Sequence, residues 1–100
     1  MVRNSHFKGI HVTMYEQARQ LLEAEVADEL LALDADAGEC FAFNNVAATI
    51  WGHLAEPASI DFLRDKLLDE YEVSPDQCDA ELRVFLDVLT RRGLLRAKQS

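Results

Sequence analysis

Hydrophobic and polar positions change rhythm near residue 44. Before it, apolar residues come in short alternating runs broken by turn formers; after it, they recur at helical spacing. Ile10, Val12 and Met14 alternate as a short strand does, but no partner segment stands out, so residues 1–17 read as a loosely ordered arm. Residues 15–34 admit two readings. The run QARQLLEAEVADELLAL is full of helix formers, and propensity favours one helix over 15–33. Turn-forming residues at 27–28 and 34–38 instead cut the stretch into strands at about 20–26, 29–34 and 39–43. The last of these alternates with period two, which sends Phe41 and Phe43 to the core and Cys40 and Ala42 to the other face.

Three helices follow. Asn44 or Asn45 caps the first, over 45–55, where Ala47, Ile50, Trp51 and Leu54 share a face. Pro57 ends that region, and Ser59 caps a second helix carrying Ile60, Leu63, Leu67 and Tyr71. The third has the clearest limits. Ser74-Pro75-Asp76-Gln77 supplies an N-cap, a proline at the first position and a capping-box glutamine; Gly93 closes the far end. At 100° per residue, Cys78, Leu82, Phe85, Leu86 and Leu89 fall in one arc of roughly 100°, the core face. Val84 and Val88 lie on another flank, where they are either ordinary surface or the wall of a groove that receives another chain.

Composition restricts what such a domain does. At 49% hydrophobic and 28% charged the chain is globular in type, and 100 residues fit one core without room for separate cofactor and substrate domains. No run approaches the roughly 20 apolar residues of a membrane span, and the N-terminus lacks a secretory apolar region, so cytoplasm is expected. A net charge of −8 argues against a nucleic-acid partner. Arg91, Arg92, Arg96 and Lys98 make a basic tail that is either solvated or a docking patch for an acidic segment. Cys40 and Cys78 have no metal spacing and read as small buried hydrophobes, and His6, His11 and His53 are scattered. No metal, cofactor loop or nucleophile motif is visible. Asp61, Asp65, Asp69 and Glu70 read as a solvated helix face rather than an acid/base set.

The motifs LLALDADAGECFAFN, FNNVAATIW, SIDFLRDKLLDEYEV and DAELRVFLDVLTRRGLL, in that order over about 25–95, resemble the PqqD-like family of recognition domains for ribosomally made, modified peptides. The resemblance implies an α+β, winged-helix-like domain: a three-stranded antiparallel sheet followed by three helices. It selects strands over the helix at 19–34. It places the domain at 18–96, with 1–17 an arm and 97–100 a tail. It also implies that the leader of a precursor peptide adds as a strand to the edge Glu39, Cys40, Phe41, Ala42, Phe43, beside Glu81, Val84, Phe85, Val88 and Arg92. Phe43 stands where the family usually has leucine. Asp36-Ala37-Gly38 and Gly93-Leu94-Leu95 replace the proline-glutamate-glycine turn and G-W-L tail of members serving pyrroloquinoline quinone synthesis. The chain is therefore more similar to free-standing recognition proteins of lasso-peptide machinery.

The expected function is non-catalytic: capture of a leader and its presentation to a leader peptidase or other tailoring enzyme. Alternatives are service to another modified peptide, such as a PQQ-type precursor, and a winged-helix DNA-binding regulator. The regulator requires a basic recognition helix, whereas residues 75–92 carry Asp76, Asp79, Glu81 and Asp87 against Arg83, Arg91 and Arg92.

Overall fold

The computed structural model describes residues 12–99, in two small antiparallel sheets and three helices. Strands β2 (Leu22–Val26), β3 (Glu29–Asp34) and β4 (Glu39–Phe43) form one sheet in the order β2-β3-β4. The helix formers of 19–34 thus yield to pairing. Leu30 and Ala32 face the interior, and two tight turns set the register. The first turn is only Ala27-Asp28, with Ala27 at φ 55, a left-handed conformation uncommon outside glycine. In the second, Gly38 (φ 70) donates to the Asp34 carbonyl at 2.8 Å. The buried Asp34 carboxylate accepts from Ala37 N–H at 3.2 Å and is ion-paired with Arg19.

Helices α1 (Asn45–His53), α2 (Ile60–Glu70) and α3 (Pro75–Arg91) begin at Asn44, Ser59 and Ser74, whose side chains accept from the N–H of Ala47, Phe62 and Gln77. Each cap satisfies a donor that the helix itself leaves unpaired. The capping box is incomplete: the Gln77 amide donates to Glu81 at 3.0 Å instead of reaching back to Ser74. At the other end of α3, Leu94 N–H bonds Leu89 C=O and Gly93 N–H bonds Thr90 C=O, with Gly93 at φ 79. This paired arrangement is a Schellman stop, which requires a left-handed residue.

The core joins all three helices to the inner face of the sheet. Trp51, Leu54, Leu63, Leu82, Leu86 and Leu94 are its largest fully buried side chains. Trp51 stacks at a tilt on Phe43, ring centroids 5.6 Å apart, and its indole N–H donates to Glu23 of β2 at 2.9 Å. The polar handle of a buried indole is thereby satisfied. Phe41 and Phe85, expected in the core, are half-buried at its margin.

Three expectations are corrected. Residues 13–17, placed in a loose arm, form strand β1 (Thr13–Gln17); residues 1–11 of that arm lie outside the described residues. β1 lies between β5 (Ala58–Ser59) and β6 (Leu95–Gln99) in a second sheet that the sequence did not suggest. Residues 97–99, expected as a tail, belong to β6, where Arg96 pairs with Glu16 at 3.5 Å. Cys40, expected buried, is exposed on β4, whereas Cys78 is buried.

Candidate peptide-binding groove

β4 is the last strand of its sheet. It pairs with β3 on one side, from Leu30 opposite Phe43 to Asp34 opposite Glu39, and its other edge takes no strand among the described residues. Unpaired N–H and C=O groups along an edge are a template for one more strand. Glu39, Cys40 and Ala42 are exposed, Phe41 is half-buried and Phe43 is buried, so only part of the edge anchors the strand.

Helix α3 walls this edge at two points. The Phe85 ring meets Phe43 edge-on with centroids 6.0 Å apart, and the Arg92 guanidinium lies over Phe41, 5.9 Å from its centroid. Arg92 follows Phe85 by about two turns, while its partner Phe41 precedes Phe43 on β4. β4 and α3 therefore lie alongside one another in opposite directions. Val84 and Val88 stand exposed on α3, at 65% and 41%, while its buried positions Leu82, Leu86 and Leu89 face the core. Glu81 is exposed one turn before Phe85. Two aromatic contacts thus join Phe41, Phe43, Phe85 and Arg92, four of the ten residues expected at the site, and Val88 lies one helix turn from Phe85. Glu81 and Val84 belong to it by helix position alone.

Beyond Phe43 the groove opens into a cavity of about 300 Å³. Its apolar walls include Val46, Ala47 and Ile50 of α1, Leu67 of α2 with Tyr71 just past its end, and Phe85 of α3, while Asn44, Gln77 and Glu81 supply polar groups. Tyr71 is fixed by a 3.0 Å hydroxyl contact with Thr49. Sequence reading missed this cavity. Ile50, Leu67 and Tyr71 lie on core faces in the periodicity, and nothing in spacing shows that three helices leave a gap between them. The half-exposure of Val46 (38%) and Val73 (43%) appears only after folding.

Among the described residues no group of His, Cys, Asp and Glu is placed to hold a metal ion. Burial pushes the Cys78 thiol up, away from the thiolate a nucleophile needs. The strong electrostatics lie elsewhere, between α2 and α3. Asp79 accepts from Arg83 at 2.8 Å and from Arg64 at 3.0 Å, and the Arg83 bond first, with the Arg64 bond, holds its carboxyl below the usual range. No described helix is long and apolar enough to cross a membrane.

Solved structures share this fold. Among solved structures, one described as TbiB1 in complex with the TbiA(beta) leader peptide matches with a TM-score of 0.70 and 27% identity, over 81% of this chain and 94% of that one. A second, lasso peptide synthetase B1 complexed with the leader peptide, has the same fold with a TM-score of 0.70 at 22% identity, over 82% of this chain and 96% of that one. Comparison with curated protein sequences finds no match. The family described as coenzyme PQQ synthesis protein D matches residues 29–95, which run from the start of β3 through α3 to the start of β6. With more than half of its length matched, the chain belongs to the PqqD family.

Proposed function

We propose that this protein is a leader-peptide recognition element of lasso-peptide biosynthesis, which captures a precursor by strand addition to β4 and presents it to a processing enzyme. The observation that carries the reading is the open β4 edge walled by α3 through the Phe43–Phe85 and Phe41–Arg92 contacts. The TbiB1 structure, which holds a leader peptide and matches most of this chain, supports the same role. Backbone hydrogen bonds along β4 give affinity, and side-chain pockets give register. Apolar leader side chains pack on Val84, Phe85 and Val88, the largest enters the cavity beyond Phe43, and Arg92 faces an acidic leader residue. The protein works without a metal or cofactor and performs no chemistry of its own, in the cytoplasm where the precursor is made.

A DNA-binding role has less support. Arg83 and Arg91 of α3 are each paired with a carboxylate of the same helix, Asp79 and Asp87, which leaves little free positive charge for phosphates. Fluorescence polarisation of a labelled leader from the precursor processed alongside this protein is the test. Saturable binding with no change in precursor mass after prolonged incubation is expected. Absence of binding, or turnover by the pure protein, overturns the proposal.

A further inference from the structure

No acidic residue follows Asp87, although the whole chain carries a net charge of −8. Arg91, Arg92, Arg96 and Lys98 fall in that stretch. Most described cations are held within the molecule. Arg19 pairs with Asp34, Arg64 with Asp61 and Asp79, Arg83 with Asp79, and Arg91 with Asp87. Lys66 lies over Phe62, and Arg92 over Phe41 at the groove. The two that remain both stand on β6. Arg96 reaches Glu16 only at 3.5 Å, and Lys98 takes no carboxylate among the described residues.

β6 also has an open edge. It pairs with β1 along its whole length on one side, and no described strand takes the other. Leu95 is buried, while Arg96, Ala97, Lys98 and Gln99 are exposed. Register sets Arg96 opposite Glu16 and Lys98 opposite Met14, on the face that turns away from Leu95 and the core. A strand added to β6 places alternate side chains directly against these two cations. A second copy fits poorly there, because antiparallel pairing of two β6 strands about Ala97 sets Arg96 of each against Lys98 of the other. β2 of another copy carries glutamates at the right spacing, but Glu23 is already committed to the Trp51 indole. A nucleic acid meets only two free cations on a strongly acidic chain. An acidic strand is complementary at both positions, and the same two charges that attract it keep β6 from pairing with itself.

We propose that β6 is a second strand-addition edge, which binds an acidic extended segment of a partner protein and leaves β4 free. The two edges belong to different sheets, so the inference stands apart from the leader-binding reading. The probe is a short end-blocked peptide in which glutamate alternates with threonine, labelled for fluorescence polarisation. The same peptide with lysine in place of glutamate is the control. Wild type should bind the glutamate peptide saturably at low salt, and more weakly as salt rises. Lys98→Glu should weaken that binding about fivefold or more and gain affinity for the lysine peptide. Lys98→Gln should fall between the two. Both variants should melt as wild type does, because Lys98 is exposed and touches no core residue. Hydrogen exchange should show the glutamate peptide slowing amides of β6 and not those of β4. Equal affinity in wild type and Lys98→Glu overturns the proposal, as does absence of binding, absence of protection on β6, or displacement of the peptide by leader. Self-association of wild type that Lys98→Glu abolishes gives the edge to a second copy and overturns it too.

Discussion

Val88 and Trp51 show how differently two apolar residues of this chain are used. Val88 is 41% exposed beside Phe85 and makes no core contact that folding depends on. An aspartate there places a carboxylate where the proposed binding mode has a leader bury apolar surface, and it lies four residues from Arg92, whose guanidinium it would draw off Phe41. Val88→Asp should therefore weaken leader binding at least tenfold, about 1.4 kcal/mol or more, with the thermal midpoint little changed. Asp65→Ala, on the exposed side of α2, should alter neither; polarisation titration of the three proteins is the check. Trp51 is 1% exposed and carries both the Phe43 contact and the bond to Glu23. Trp51→Ala should cost about 3–5 kcal/mol in a denaturant titration, the usual range for deleting a buried large aromatic. A domain with about 5–15 kcal/mol in total can lose most of its folded population that way.

Among the elements, the β2–β3 hairpin and the α2–α3 pair each carry a legible weakness. Ala27 holds a positive φ in a two-residue turn, where glycine adopts the same backbone without a Cβ clash. Ala27→Gly should raise stability by up to about 1 kcal/mol, read as a higher denaturant midpoint at unchanged slope. The α2–α3 pair is tied by Asp79, whose carboxyl Arg83 and Arg64 hold below its ordinary value. A carboxylate with a folded pKa depressed below the unfolded value of about 3.9 adds stability above that pH and loses it as pH falls through the folded value. Stability of the wild type should thus fall below about pH 4 more steeply than that of Asp79→Asn, as thermal melts across pH 2–6 would show. The hairpin strands are legible because turn formers bracket them. That they pair rather than coil into a helix is not, since helix propensity over 15–33 points the other way and only long-range burial of Leu30 and Ala32 outweighs it.

In the molecule as a whole, the two sheets divide the work. The β2-β3-β4 sheet presents the groove, while β5-β1-β6 ties the two ends of the described chain together through pairs such as Tyr15 with Ala97 and Gln17 with Leu95. Gln17 N–H also bonds Leu54 C=O after α1, and Ala18 N–H bonds Leu94 C=O after α3, so β1 fastens both helix ends. Removing residues 96–100 strips most of β1's ladder. At about 0.5–1.5 kcal/mol net per hydrogen bond, a loss of about 2 kcal/mol is expected, which lowers the thermal midpoint by roughly 10 °C. Leader affinity at low temperature should stay within about twofold, because the β4 edge and its α3 wall keep their contacts.

The sequence by itself determined whatever is encoded locally. The caps at Asn44, Ser59 and Ser74, the glycine stop at Gly93, the core faces of three helices and the alternation of β4 all follow from spacing and side-chain chemistry within a few residues. Family likeness then drew Glu39–Phe43 and the outer flank of α3 together as a site. Tertiary structure alone decided the rest. β1 finds its main partner some 80 residues away, as Glu16 does in Arg96, and alternation over five residues says nothing of so distant a strand. Cys40 is exposed because β4 is an edge strand whose outer face nothing described covers, although its composition suits an interior. The cavity beyond Phe43 arises from how whole elements meet. Periodicity assigns a residue to a face; only packing determines whether anything lies against it.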